Sequence, residues 1–106
     1  MKEKTSVRGA HDFMKFFNSL DEQATLYKEI NNALDLLKKD YAKGDRIPRD
    51  RWPKKYVKEH LIHTLFRYNL RSGWRLIYTV SGTRYEKTCT VLEVFDHKEY
   101  EKRFGY

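Results

Sequence analysis

The segment LFRYNLRSGWRLIY, residues 65–78, predicts two short β-strands joined by a tight turn. Its flanks are aromatic and branched, as strands prefer, and Arg71-Ser72-Gly73 between them supplies the small residues that turns favour. Because side chains alternate between the two faces of a strand, one face of this hairpin is apolar and the other is polar. We therefore expect the rest of the chain to pack around one hairpin with two unlike faces.

The polar face of the predicted hairpin is rich in arginine. Arg67, Asn69 and Arg71 share this face on the first strand, and Arg75 lies on it in the second strand. A guanidinium group is planar, always charged and suited to binding phosphate. We therefore expect a sheet with an open face that binds a polyanion; the alternative is a set of exposed strand residues that only aid solubility.

Length and composition limit the class of protein. The chain has 106 residues and a net charge of +7, and its hydrophobic content of 40% predicts one folded domain, residues 1–106. A small basic domain favours nucleic acid or an acidic protein as its partner. The sequence has no apolar run long enough to span a bilayer, no secretion signal and a single cysteine, Cys89. We therefore expect a cytoplasmic protein with no membrane association and no internal disulfide.

Two helices are predicted before the hairpin. The phenylalanines of DFMKFF recur at helical spacing and predict a first helix from about Ala10 to Asn18. Ser19-Leu20-Asp21-Glu22 fits a capping box, which predicts that a second, longer helix begins there and ends before Gly44. Because the connection is short, the two helices are expected to form an antiparallel hairpin.

Further strands and a capped helix complete the predicted fold. Thr88 to Phe95 is rich in branched residues and predicts a third strand, so that three sequential strands form an antiparallel meander. Thr5 to Arg8 is a candidate for a further edge strand. Asp96 suits a helix N-cap and Glu99 the third helical position, which predicts a short C-terminal helix or turn. The predicted class is α+β, with the helical hairpin packed on a small antiparallel sheet.

Residues 45–60 form a predicted irregular connector with high positive charge. Pro48 and Pro53 interrupt regular structure, while Trp52 and Tyr56 are expected to anchor the connector to the body. Its cations are candidates for contacts with RNA: Arg46, Arg49, Arg51, Lys54 and Lys55. The alternative is a solvated linker whose charges have no consequence.

The arginine face and the C-terminal segment together could support cleavage of RNA by attack of its own 2′-hydroxyl, a reaction that requires no metal. The hydroxyl must lose a proton, charge on the phosphate must be neutralised, and the leaving oxygen must gain a proton. The arginine face can neutralise charge, and His97, Lys98 and Tyr100 can transfer protons. The alternative is that Tyr100 packs on the core while His97 stays exposed. The sequence has no glycine-rich phosphate loop, paired-cysteine motif or two-histidine metal spacing, so we expect no metal and no other cofactor.

The hairpin resembles the signature of a toxin family. The segment FRYNLRSGWRLIY, and RLIY above all, looks like the hairpin of the RelE/ParE superfamily of type II toxin–antitoxin toxins, and HKEYEK is similar to the ending of HigB-type members. The resemblance covers nearly the whole chain. It implies a small sheet with a helical hairpin on one face, cleavage of messenger RNA (mRNA) in the ribosomal A site, and neutralisation by a cognate antitoxin protein.

The resemblance also implies roles for individual residues. Arg75 matches the arginine assigned to phosphate stabilisation, and Arg67 matches a basic residue that helps to activate the 2′-hydroxyl. Lys98 or His97 falls where the family places a C-terminal basic or acid group. Tyr100 falls where several members place a stacking or catalytic tyrosine.

Departures from the family pattern leave alternatives open. Asn69 occupies a position where RelE itself has a second lysine, and Phe104 or Tyr106 could take the place assigned to the tyrosine. The ParE branch shares the fold but inhibits DNA gyrase and cleaves no RNA. A third alternative is an RNA- or ribosome-binding domain without nuclease activity.

Overall fold

The computed structural model describes residues 4–105, which fold around one five-stranded sheet. The strands are β1 (Lys4–Gly9), β2 (Asp45–Arg46), β3 (Phe66–Asn69), β4 (Arg75–Gly82) and β5 (Glu86–Phe95). The helices are α1 (His11–Ser19), α2 (Thr25–Lys39), α3 (Lys54–Glu59) and α4 (His97–Phe104), with a 3₁₀ turn at Arg49–Arg51. The predicted α+β class is confirmed.

The sheet is mixed, which corrects the prediction of a purely antiparallel one. Its order is β1-β5-β4-β3-β2, with the predicted antiparallel meander of β3, β4 and β5 inside it. The candidate edge strand is real, but β1 runs parallel to β5, with Lys4 opposite Glu86 and Gly9 opposite Val91. A parallel pair needs a long crossover connection, and here the chain between these two strands provides it.

The central hairpin has the predicted turn. The Leu70 amide donates to the Trp74 carbonyl at 2.7 Å, and the Gly73 amide donates to the Leu70 carbonyl at 3.0 Å. Gly73 has a φ of 93°, a conformation that glycine adopts without a steric penalty. In the resulting register, Asn69 lies opposite Arg75.

One face of the sheet is covered by α1 and α2. The two helices contact each other through Phe17 and Tyr27, whose stacked rings lie 4.6 Å apart. The buried cluster on this face consists of Phe13, Ile30, Ala33, Leu37, Phe66, Leu70, Leu76, Tyr78, Cys89, Val91 and Val94. This is the apolar face that the alternation of the hairpin predicted.

The second helix begins later than predicted. Ser19 is the last residue of α1, and its hydroxyl donates to the Phe16 carbonyl at 2.6 Å. The Asp21 carboxylate accepts from the Gln23 amide at 2.8 Å, and α2 starts only at Thr25. The capping-box prediction is therefore wrong, because Ser19 bonds back to a carbonyl of α1 and Asp21 bonds within the turn that precedes α2.

The opposite face of the sheet is also covered, which corrects the prediction of an open face. A second buried cluster consists of Ile47, Tyr56, Ile62, Leu65, Ile77, Leu92, Phe95 and Tyr100. The connector that contributes to it is more regular than predicted, because it contains β2, the 3₁₀ turn and α3. Its predicted anchors are confirmed: the Trp52 indole donates to the Ile47 carbonyl at 2.9 Å, and Tyr56 is fully buried.

The C-terminal segment forms the predicted helix. The Asp96 side chain accepts a hydrogen bond from the Glu99 amide at 2.9 Å and so caps α4. Gly105 follows with a left-handed φ of 74° and ends the helix. The cap sets the direction in which α4 leaves β5 and crosses the second face of the sheet.

Candidate functional site

Tyr100 of α4 lies close to two arginines of the central hairpin. The guanidinium carbon of Arg67 is 5.6 Å from the centroid of the Tyr100 ring, and that of Arg75 is 5.3 Å from it. Arg67 Nη1 also donates to the Tyr100 hydroxyl at 3.0 Å. Asn69 is the direct cross-strand partner of Arg75, which makes Arg67 and Arg75 diagonal neighbours on one face. Three of the predicted site residues are thus brought together.

Arg67 is held by partners on two elements. Besides Tyr100, it contacts Asp45 of β2, with Nη2 3.4 Å from the carboxylate oxygen Oδ2. Burial lowers the pKa of the Arg67 guanidinium, but the Tyr100 hydroxyl and the Asp45 carboxylate outweigh this effect, so the pKa is raised overall. Arg67 therefore carries a permanent positive charge beside the phenol oxygen.

Arg75 is less fully bonded to the protein. Its Nη1 donates to the Gly73 carbonyl in the hairpin turn. The buried Nε atoms of both Arg67 and Arg75 have no hydrogen-bond partner among residues 4–105. The protein therefore uses only part of the donor capacity of these two guanidinium groups.

A small cationic cleft opens beside Tyr100. It has a volume of about 130 Å³ and is lined by Asp45, Arg46, Ile47, Pro48, Arg51, Arg67 and Tyr100. Asp45, the only acidic residue among these lining residues, is 72% exposed. A bound phosphate could therefore replace this carboxylate as the partner of Arg67 without leaving a buried charge unpaired.

His97 and Lys98 do not lie in this cleft. His97 is 63% exposed, and its Nε2 is 2.6 Å from the Glu101 carboxylate on the outer side of α4. Lys98 is exposed as well, whereas Tyr100 is only 3% exposed. The expectation that His97 and Tyr100 act from the same side is not met, because the helix directs one to solvent and the other to the sheet. The alternative prediction, that Tyr100 packs on the core while His97 stays exposed, agrees with the burial of these two side chains.

Phe104, one of the other aromatic candidates of the C-terminal segment, does not replace Tyr100. Phe104 stacks on Tyr100 with ring centroids 4.6 Å apart and reaches Tyr56 at 6.3 Å. Phe104 therefore packs against one face of the Tyr100 ring. Tyr106 lies outside the described residues.

The hairpin residues Arg71 and Asn69 lie in different surroundings. Arg71 is in the turn and borders a depression shared with Lys28 and Glu29 of α2 and with Tyr68. It is therefore on the side of α2, not beside Tyr100, because the strand alternation ends where the turn begins. Asn69 is exposed on the strand directly opposite Arg75, as predicted.

The cations of the connector do not form one continuous surface. Arg46 and Arg51 line the cleft with Tyr100. Arg49 lies over the Trp52 ring at 5.0 Å and, with Lys54, borders a separate groove. The regular elements of the connector direct neighbouring cations to different sides, which the irregular prediction did not anticipate.

Lys55, the last of the five connector cations proposed to contact RNA, belongs to a network around Glu93 that the sequence analysis missed. Its Nζ lies 3.1 Å from the Asp12 carboxylate and 3.7 Å from that of Glu93. The Tyr56 hydroxyl donates to Glu93 at 2.8 Å, and Arg103 Nη2 donates to it at 3.2 Å. Burial, and then the Glu93 carboxylate, raise the pKa of Tyr56, while Lys55 lowers the pKa of Asp12.

A β-bulge places Glu93 in this position. Ile77 pairs with Glu93 but Tyr78 pairs with Val91, so Leu92 has no partner in the register. Leu92 packs in the second cluster and Glu93 bonds to residues on the same face. A lone glutamate inside the apolar run VLEVF was the signal that could have identified it.

Neither a cluster of metal ligands nor a reactive thiol is found among residues 4–105. Among residues 4–105, no group of three or more His, Cys, Asp or Glu side chains could hold a metal ion. Cys89 is buried, which raises the pKa of its thiol to about 11 and makes it a poor nucleophile at neutral pH. None of the helices in the described residues is long and apolar enough to cross a membrane.

Comparison with known proteins assigns the chain to no family. No protein-family model matches it, and no curated protein matches it either. The similarity of the hairpin to the RelE/ParE superfamily therefore stays a prediction from sequence.

Proposed function

We propose that this protein is a RelE-like endoribonuclease toxin that cleaves mRNA in the ribosomal A site without a metal. One observation carries the proposal: the guanidinium groups of Arg67 and Arg75 both lie close to the ring of Tyr100, which lines a cationic cleft. Cleavage at a phosphodiester needs positive charge at the phosphate and a proton-transferring group within reach of it. Here Arg67 and Arg75 supply the positive charge, and Tyr100, which lines the cleft, supplies the proton.

The reaction would proceed by attack of the 2′-oxygen on the adjacent phosphorus. A new P–O bond forms, the bond to the 5′-oxygen breaks, and the products are a 2′,3′-cyclic phosphate and a 5′-hydroxyl. Arg75 neutralises charge on the phosphate oxygens. Tyr100 gives its proton to the leaving 5′-oxygen, and Arg67 stabilises the negative charge that Tyr100 acquires. The 2′-hydroxyl proton passes to solvent.

The surroundings of the cleft define the proposed RNA contacts. Arg46 and Arg51, which line it, bind the backbone on one side, and Asn69, opposite Arg75, contacts RNA on the other. His97 and Lys98 are left outside the reacting group because they point away from the cleft.

The RelE-like architecture and its partners belong to the same proposal. Contact between Phe17 of α1 and Tyr27 of α2, on one face of the sheet, supports the helical hairpin that the resemblance implies. The proposed partners are mRNA on the ribosome and a cognate antitoxin that suppresses toxicity in the cytoplasm. An acidic antitoxin would complement the net charge of +7.

The test measures single-turnover cleavage of mRNA on programmed ribosomes by primer extension. Arg75→Ala is expected to lower the rate by about a hundredfold, because it removes charge from the transition state. Tyr100→Phe keeps the ring beside the two arginines but removes the hydroxyl, and is expected to cost about tenfold or more in the cleavage rate. Arg84→Ala is the matched control, since Arg84 is exposed in the β4–β5 turn beside Tyr85.

Equal and small effects of Arg75→Ala and Arg84→Ala would contradict the proposal. Uncut message together with inhibited DNA gyrase supercoiling would favour the ParE-like alternative. Binding to ribosomes with neither activity would favour a domain that binds RNA and does not cleave it. Circular dichroism of each variant distinguishes a lost reaction from a lost fold.

A further inference from the structure

A second groove is formed by the 3₁₀ turn and α3. It has a volume of about 420 Å³ and is lined by Arg49, Trp52, Lys54, Val57, Lys58 and Ile62. None of these residues lines the cleft beside Tyr100. The connector therefore contributes to two depressions that have no lining residue in common.

Two aliphatic side chains, one in this groove and one near it, are open to solvent. Val57 is 57% exposed, and Leu61, which follows α3 closely, is 89% exposed. The neighbouring Tyr56 is fully buried, so α3 is held in place while these aliphatic side chains face outward. Exposed aliphatic surface next to a groove is typical of a surface that another protein covers.

The charges around the groove all have one sign. Arg49, Lys54 and Lys58 line it, and none of the three pairs with a carboxylate in the described part of the chain. Asp50 and Glu59, the acidic residues nearest in sequence, do not line the groove. The complementary ligand is therefore negatively charged as well as apolar.

A peptide fits this combination better than RNA does. An RNA base would stack on an open aromatic face, but Arg49 already lies over the Trp52 ring at 5.0 Å. The indole nitrogen is also used, since it donates to the Ile47 carbonyl. The rest of the apolar lining, Val57 and Ile62, is aliphatic and suits a leucine or phenylalanine side chain.

We infer that this groove binds an acidic amphipathic segment of a partner protein. A large apolar side chain of that segment packs against Val57 and Ile62, and its carboxylates pair with Arg49, Lys54 and Lys58. Such a segment would use the helix-in-groove mode of peptide recognition. The inference is independent of the proposed nuclease, because the two depressions are lined by different residues.

The test uses a fluorescein-labelled synthetic peptide of leucine and glutamate, patterned as an amphipathic helix, and measures its binding to the full chain by fluorescence anisotropy. Val57→Glu is expected to weaken binding by about tenfold or more. Tyr85→Glu is the matched control, since Tyr85 has a similar exposure of 56% and does not line the groove. Lys58→Glu should weaken binding and reduce its dependence on salt.

A peptide with lysine in place of each glutamate should not bind. Undiminished binding of the acidic peptide to the folded Val57→Glu and Lys58→Glu variants would overturn the inference. So would competition by single-stranded poly(U) that is lost in both variants, because the groove would then be an RNA site. A dimer in sedimentation that Val57→Glu dissociates would instead assign the groove to a second copy of the chain.

Discussion

The two faces of the sheet are both buried, but by different kinds of contact. Under α1 and α2 the cover is made by apolar packing, with Ile30 and Leu37 fully buried. Under the connector and α4 the apolar cluster surrounds a carboxylate, Glu93, that is bonded to Tyr56 and Arg103. Apolar packing depends mainly on volume, whereas a buried charge is tolerated only when its hydrogen bonds are made.

The difference explains where a binding site can form. The long helix α2 contributes Ile30, Ala33 and Leu37 to the apolar cluster of its face, although Oε2 of Glu29 on the same helix is buried without a hydrogen-bond partner in the described residues. The short elements on the other face leave a cleft lined by Arg67 and Tyr100, and Arg75 lies next to the Tyr100 ring. The face with the less complete cover is therefore the one that presents chemically useful groups.

The largest expected loss of stability is on the apolar face. Leu37→Ala should lower the free energy of unfolding by about 2–5 kcal/mol, because it leaves a cavity in a fully packed core. Leu36→Ala, on the same helix but 38% exposed, is the matched control and should cost clearly less. Urea denaturation followed by circular dichroism measures both. Equal losses would mean that α2 is not packed as described.

A smaller loss of stability is expected when the charged network around Glu93, on the other face of the sheet, is disrupted. Glu93→Gln keeps the volume but removes the charge that binds Arg103 and Lys55, and should cost about 2 kcal/mol. The side chain of Glu93 is 14% exposed, so the full cost of breaking a buried ion pair is not expected. Glu86→Gln, exposed on the same strand, should change stability by less than about 0.5 kcal/mol. If both substitutions cost the same, the carboxylate has no special role.

The Tyr78 hydroxyl, on the face covered by α1 and α2, should make a contribution to the free energy of unfolding that depends on pH. The Tyr78 hydroxyl donates to the Tyr41 carbonyl at 2.9 Å and accepts from the Gly44 amide at 3.0 Å, so Tyr78→Phe should cost about 1–2 kcal/mol at neutral pH. Burial raises the pKa of Tyr78 from 10.0 to about 12, although the Gly44 amide lowers it.

The sign of that pH dependence follows from the raised pKa. Between pH 10 and about 12 the unfolded chain loses the Tyr78 proton while the folded chain keeps it. The stability that the protonated hydroxyl contributes is therefore fully present below pH 10 and is lost as the pH rises toward 12. The difference in unfolding free energy between wild type and Tyr78→Phe should narrow over this window, and a constant difference would contradict the raised pKa.

The smallest expected signal is the reactivity of Cys89. Its buried thiol has a pKa raised to about 11, so a thiol reagent should barely modify the native chain at neutral pH. The same reagent should modify the chain promptly in denaturant, which serves as the control. Prompt modification of the native protein would show that the apolar face opens more readily than its packing suggests.

Local chemistry explains the elements that sequence analysis predicted. Strand alternation separated the apolar and polar faces of the hairpin, Gly73 marked its turn, and Asp96 marked the start of α4. Each of these signals lies within a few residues of its structural effect. The capping-box prediction at Ser19 was wrong because a short polar side chain can bond to more than one nearby backbone group. The Ser19 hydroxyl donates to the Phe16 carbonyl of α1 and does not cap α2.

The sequence by itself therefore determined the α+β class, the hairpin and the presence of Arg67 and Arg75 on one face of that hairpin. Only the tertiary structure decided that β1 lies parallel to β5 and that a bulge carries Glu93 into the second cluster. It also decided that Tyr100 contacts both arginines, and its hydrogen bond with Arg67 joins residues 33 positions apart in sequence. Such contacts depend on how α4 docks on the sheet, and periodicity within a segment holds no information about the element on which that segment will pack.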